Sequence, residues 1–133
     1  MRYAISYISS ADPDLSREEI TTLFERTIDY NNRHNITGLL IYSDGNFFQF
    51  MEGEKNIITP LYSKIEKDIR HQNLIKFIEK PVSQRAYPGY ICEFKTINSE
   101  YNESKKNEFL NYLQVLDPSS RKAAERLIET LYM

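Results

Sequence analysis

Residues 31–53, NNRHNITGLLIYSDGNFFQFMEG, decide how this chain folds. They read as the end of a helix, a strand over 36–43, a tight Asp44-Gly45 turn and a second strand over 46–51. Asp-Gly between two apolar, alternating runs is a strong hairpin signal, because a type I′ turn needs φ > 0 at both central residues. Asn31 precedes the hairpin, and Gln49 lies inside it between Phe47, Phe48, Phe50 and Met51. An amide has donors and acceptors on the same group, and burying it is costly unless both find partners. Gln49 is therefore satisfied either by the fold or by a ligand.

Upstream of the hairpin, residues 2–8 (RYAISYI) alternate and predict a first strand, with a loop over Ser9 to Pro13. Ser16 and Glu19 form a capping box, after which Ile20, Leu23, Phe24, Thr27 and Ile28 recur at helical spacing. Asn31, Asn32 and Asn35 end that helix, since Asn tolerates left-handed geometry. Downstream, Ile57, Leu61, Ile65 and Ile69 are spaced by four. Their spacing predicts a second helix from near Thr59, with Pro60 in its first turn, to about His71. Residues 74–80 predict strand four, Pro81 to Pro88 a loop, and Tyr90 to Ile97 strand five. Two further helical patterns follow Asn102: Phe109, Leu110 and Leu113, then Ala123, Ala124, Leu127, Ile128 and Leu131. Asp117 is the expected N-cap of the last helix and Pro118 its first residue.

The order β-α-β-β-α-β-β predicts an α+β, ferredoxin-like sheet with both long helices on one face. The two C-terminal helices then cover the other face. At 133 residues, with no linker or repeat, one domain is expected. The formal charge of −2 excludes the basic footprint of a nucleic-acid or anionic-membrane binder. Cys92 is the only cysteine, which fits a reducing, cytoplasmic setting. No apolar run approaches the ~20 residues a bilayer span needs, and no leader pattern opens the chain.

Enzyme signatures are missing. The chain has four glycines and neither a phosphate-binding loop nor a dinucleotide fingerprint. His34 and His71 are far apart and Cys92 has no second thiol, so no metal site is expected. On the predicted topology strands one and three are neighbours, which brings Tyr7, Asn31 and Gln49 toward one region. A flat ring fits between Leu23 on helix one and Ile65 on helix two, with Tyr7 and Gln49 below it. Lys64, Asp68, Arg70 and His71, at the far part of helix two, would meet a phosphate tail. Each residue also has an ordinary structural reading. Tyr7 and Gln49 can be core residues, Asn31 a helix cap, and Lys64, Asp68 and Arg70 a solvated helix face.

Their joint spacing resembles the BLUF family of flavin-using blue-light sensors. The matching elements are Tyr7-Ile8-Ser9, then Asn31 ahead of Ile36-Thr37-Gly38, and Leu39-Leu40-Ile41-Tyr42. Phe47-Phe48-Gln49, Glu52-Gly53, the run from Tyr62 through Ile65 and Asp68 to Arg70-His71, and Arg85-x-Tyr87 complete the set. The resemblance covers residues 1–97 as a flavin-binding domain, leaving 98–133 as a helical extension packed on it. It implies FAD as cofactor, with FMN as second choice, held by Tyr7, Leu23, Asn31, Asn32, Gln49, Lys64, Ile65, Asp68, Arg70 and His71. It further implies that light draws an electron and a proton from Tyr7 through Gln49, whose amide then rotates or tautomerises.

Four departures stand out. Tyr90 replaces the family's usual tryptophan and Cys92 its usual methionine, on the strand expected to relay the signal. Asn35 stands where glycine is common, and Lys64 where some members have arginine. The reading implies a photosensory domain without catalytic turnover, signalling to a separate effector protein or through self-association of residues 98–133, as a homo-oligomer. Two alternatives are a flavin-free ferredoxin-like interaction module and a flavin oxidoreductase. The first would stay colourless with excess FAD, and the second would turn over a nicotinamide cofactor.

Overall fold

A computed structural model describes residues 1–43, 45–83, 90–94, 107–108, 110–111, 114 and 116–131. Strand β1 (Arg2–Ala11), helix α1 (Arg17–Arg33), β2 (Thr37–Ser43), β3 (Asn46–Glu54), α2 (Lys55–Glu66), β4 (His71–Pro81), β5 (Tyr90–Phe94) and α3 (Pro118–Leu131) follow in order. The sheet order is β4-β1-β3-β2-β5. The first four strands pair antiparallel, and β5 runs parallel to β2 along the far edge. This is the expected ferredoxin-like arrangement, with β1 and β3 side by side near the centre.

Strand alternation sorts the apolar residues into two cores. Ile5, Tyr7, Leu40, Phe47 and Met51 face α1 and α2, where they meet Ile20, Phe24, Ile58 and Tyr62. Ala4, Leu39, Ile41, Phe48, Phe50 and Ile78 face the other way, under Leu116 and Ala124 of the C-terminal region. The last helix therefore covers the second face, as its apolar stripe predicts. Phe48 and Phe50 are fully buried there, and each contributes roughly 1.5–3 kcal/mol through burial. Phe109, Leu113, Asp44, most of the 81–88 loop, residues 95–97 and the side chains of Leu127, Ile128 and Leu131 lie outside the described residues.

The hairpin register Ser43↔Asn46 confirms a two-residue connection, and Gly45 takes φ +82° within it. Gly38 is the other glycine the backbone requires. Its φ is +149°, and a Cβ there would lie 1.9 Å from the Phe50 carbonyl oxygen. The Ser16–Glu19 capping box forms as read, each bond at 3.1 Å. Asn35 occupies left-handed space at φ 56°.

Several expectations about element ends change, β3 running on to Glu54 and β4 spanning His71–Pro81 rather than 74–80. β1 continues through Ser9, Ser10 and Ala11, because these residues pair with β3 on one side and β4 on the other. α2 begins at Lys55, leaving Pro60 inside the helix. Proline there removes one backbone bond, and burial of Ile58 in the preceding turn holds the helix regardless. α2 also stops at Glu66, so Asp68 and Arg70 lie in a turn and His71 opens β4. The Asp68 carboxylate accepts the Arg70 amide at 2.9 Å, a local bond that competes with helix continuation. Ile69, which the four-residue spacing assigns to the apolar stripe, is consequently 90% exposed.

Candidate functional site

Tyr7 and Gln49 are direct cross-strand partners on β1 and β3. Both face the helices, and both are almost completely buried. The Tyr7 hydroxyl donates to Gln49 Oε1. A phenol that donates to the amide oxygen leaves the amide NH2 as the end Tyr7 does not engage. Burial holds the Tyr7 phenol well above its ordinary pKa, with further upward pushes from Tyr62 and Asp68. It is therefore a neutral donor at any physiological pH. Its ring lies 5.9 Å from those of both Tyr62 and His71, tilted against each.

Asn31 sits in the last turn of α1 at 2% exposure. The backbone performs the helix-ending role that its side chain could have filled: Asn31 O accepts from His34 N at 3.2 Å and Ile36 N at 2.8 Å. The side-chain Nδ2 is buried with no hydrogen-bond partner among the described residues. An unpaired buried donor costs about 1–3 kcal/mol, so an acceptor brought to this amide would be stabilised there.

Between the two helices and the sheet lies a cleft of about 330 Å³, within the range of small-molecule sites. Leu23, Thr27 and Asn31 wall it from α1, Leu61 and Ile65 from α2, and Tyr7, Leu40, Phe47 and Gln49 form its floor. Of the residues picked from sequence, Tyr7, Leu23, Asn31, Gln49, Lys64, Ile65, Asp68, Arg70 and His71 all line this one cleft. Asn32 does not. It is exposed, because one residue along a helix turns a side chain by about 100° from its neighbour. Tyr90 and Cys92 are located only by register, opposite Gly38 and Leu40 of β2.

The four polar residues expected to meet a phosphate tail are not equivalent at the rim. Asp68 is committed to Arg70, which donates through Nε at 2.9 and 3.1 Å and also pairs through Nη2. These bonds hold the Asp68 carboxyl below its ordinary value and raise the Arg70 guanidinium. His71 spends both ring nitrogens on the protein. Nε2 lies 2.7 Å from Ile65 O and Nδ1 2.7 Å from Ser9 Oγ. A carbonyl only accepts, so Nε2 carries the hydrogen, and His71 ties the end of α2 to β1. Arg26 and Tyr30 also line the cleft and were not singled out from sequence. Arg26 lies three residues after Leu23 and Tyr30 three after Thr27, and this i, i+3 spacing was the available signal.

Comparison with known proteins gives a consistent result. A family model described as "BLUF: Sensors of blue-light using FAD" matches residues 3–92. Photoactivated adenylate cyclase subunit beta of Euglena longa is 36% identical over 85 residues, 64% of this chain and 10% of that protein. The chain thus spans about a tenth of the length of such curated relatives. A bacterial light-regulated adenylyl cyclase superposes with TM-score 0.72 at 31% identity, covering 99% of this chain and 39% of the other. Klebsiella pneumoniae BlrP1, solved with FMN and cyclic diGMP and without metal ions, shares the fold. Its TM-score is 0.77 at 23% identity, over 99% of this chain and 34% of that one.

Proposed function

This chain belongs to the BLUF family of flavin-binding blue-light sensors, and from that premise we propose how its own residues work the switch. The cleft fits a flavin. Its slot between Leu23 and Ile65 is apolar and suits a flat ring, while the orphaned Asn31 Nδ2 and the Gln49 amide suit a rim of acceptors and donors. When bound, the flavin supplies an oxidant excited by blue light.

The protein supplies the electron donor and the proton path. Tyr7 is neutral and already donating to Gln49 Oε1, so loss of an electron acidifies its hydroxyl and moves the proton toward that oxygen. The carboxamide would respond by rotating, or by passing a proton on from Nε2 to the ring that took the electron, and either change would exchange its donor and acceptor ends. An ionised carboxylate in the same place can only accept. The Tyr7–Gln49 hydrogen bond at matched register beneath the cleft is the observation that carries this reading. Asn31 anchors the polar edge of the ring, and the mouth of the cleft meets the tail.

The output is a changed contact rather than turnover. Phe48 and Phe50 alternate with Gln49 and pack beneath Leu116 and Ala124, so a shift at Gln49 reaches the opposite face within one residue. Self-association through residues 98–133, or a separate effector protein, receives it, in a cytoplasmic setting. β5 offers a second route through Tyr90 and Cys92, with Cys92 opposite Leu40 and Leu40 opposite Gln49. Among the described residues no helix is long and apolar enough to cross a membrane. The test is a spectrum: the protein refolded with excess FAD is expected to be yellow, to shift red under blue light and to recover in darkness. A colourless product, or a yellow one unmoved by light, overturns the assignment.

A further inference from the structure

Three cationic side chains line the mouth of the cleft, Arg26, Lys64 and Arg70, and they are not equivalent. Arg70 is folded onto the Asp68 carboxylate by three contacts, so that pair presents little net charge. Arg33, one helical turn beyond the cleft-lining stripe of α1, is likewise neutralised by Asp29. Arg26 and Lys64 have no carboxylate within ion-pair distance among the described residues, and both are exposed. Arg26 lies one turn from Leu23 on α1, and Lys64 adjoins Ile65 on α2. The two free cations thus flank the two walls of the ring slot from opposite helices, while its floor of Tyr7, Leu40 and Gln49 carries no charge. Such a cleft suits a neutral ring with an anionic tail.

We propose that Arg26 and Lys64 form a two-sided clamp that selects flavins bearing a 5′-phosphate over riboflavin, with Arg70 reserved for shaping the turn through Asp68. This rests on the flavin reading above and assigns Arg26 a role. A phosphate between a guanidinium fork and an ammonium gains charge-assisted hydrogen bonds from both sides. Neither cation must first be released from a carboxylate.

The experiment titrates flavin-free full chain with riboflavin, FMN and FAD, following quenching of flavin fluorescence. FMN is expected to bind about tenfold or more tighter than riboflavin, equivalent to roughly 1.4 kcal/mol, with FAD close to FMN. The advantage should shrink in about 0.5 M salt, where exposed charges are screened. R26Q and K64Q should each remove most of the advantage while moving riboflavin by less than twofold, and R26K should restore part of it. An FMN-to-riboflavin ratio near one in the wild type, or a ratio that both substitutions leave intact, overturns the clamp. So does an equal loss of riboflavin and FMN, which would place these side chains on the ring. Failure of all three flavins to bind the wild type would instead bring down the flavin reading on which the clamp depends.

Discussion

The hydroxyl of Ser6 donates to the main-chain oxygen of Gln49 at 2.7 Å, one residue along β1 from the phenol that donates to the same glutamine's side chain. Backbone and side chain of Gln49 are thus held by separate partners. The strand stays fixed while the carboxamide can exchange partners by turning about its own torsions. A switch needs this division, since a ligand or photon can bias two states only through interactions that differ between them.

Gln49→Leu and Tyr7→Phe are expected to keep flavin, with affinity changed by no more than a few-fold, and to lose the reversible red shift. Leucine cannot exchange donor for acceptor, and phenylalanine has no O–H to give. Absorption spectra before and after blue light check this. A wild-type shift in either variant would remove that pair from the switch.

Alkaline pH should unfold the protein in part through Tyr7. Its folded pKa is raised by burial, then by Tyr62 and Asp68, while the unfolded chain ionises near the ordinary tyrosine value of ~10. Below that value the protonated phenol costs nothing on either side. Above it the unfolded state sheds a proton that the folded state keeps, so stability falls by up to about 1.4 kcal/mol per pH unit for one such group. Tyr62, also raised by burial, adds to the fall. Urea melts between about pH 9 and 11.5 should show a shallower decline for Tyr7→Phe than for wild type; parallel curves would contradict the burial argument.

Gly38→Ala should cost more than about 3 kcal/mol or abolish soluble expression, because two penalties act together. The φ of +149° disfavours any Cβ, and that Cβ would lie 1.9 Å from a backbone oxygen of β3 that cannot step aside. Gly45→Ala is the control: its φ is +82° but nothing lies within 4 Å, so only the conformational term remains. Equal melting temperatures for the two variants would refute the steric half of this account.

The last helix begins where Asp117 Oδ2 accepts the Ser120 amide at 3.1 Å and Oδ1 accepts from Lys80 Nζ at 2.8 Å. Asp117→Ala should lower stability by about 1 kcal/mol, the usual worth of an N-cap. Asp117→Asn should recover most of it, because the exposed ion pair to Lys80 adds little. Urea denaturation of the two variants separates cap from charge, and an equal loss in both would assign the effect to the ion pair instead.

The parts of this fold that could be read in advance were those with a local physical cause. Asp44-Gly45 set the hairpin, Ser16 with Glu19 set a helix start, and period-two alternation put Tyr7 and Gln49 on one surface. What escaped depended on contacts made at a distance. Pro60 stays helical because Ile58 is buried against the sheet, and Ile69 leaves its stripe because Asp68 turns the chain. Arg26 was hidden among ordinary polar residues of an exposed helix face. The buried acid Glu52, which accepts from Thr37 at 2.8 Å and pairs with Arg2 at 3.5 Å, was legible in principle. It follows Phe48 and Phe50 on the same face of β3, where alternation would have placed it in the core.

Asn31 offers the sharpest separation between a binding role and a structural one, because the two roles predict opposite signs. Were its side chain a helix cap, Asn31→Ala would destabilise the protein by about 1 kcal/mol. The cap bonds here are made by the backbone carbonyl instead, and the buried Nδ2 is unpaired among the described residues. Alanine removes that orphan donor and is the better helix former. Flavin-free protein carrying Asn31→Ala should therefore melt at the wild-type temperature or above it. Flavin affinity should meanwhile drop about tenfold, the cost of one hydrogen bond to a desolvated acceptor. Calorimetry without flavin and a binding titration with it give the two numbers. A lower melting temperature together with unchanged affinity would show that Asn31 serves the helix and not the ligand.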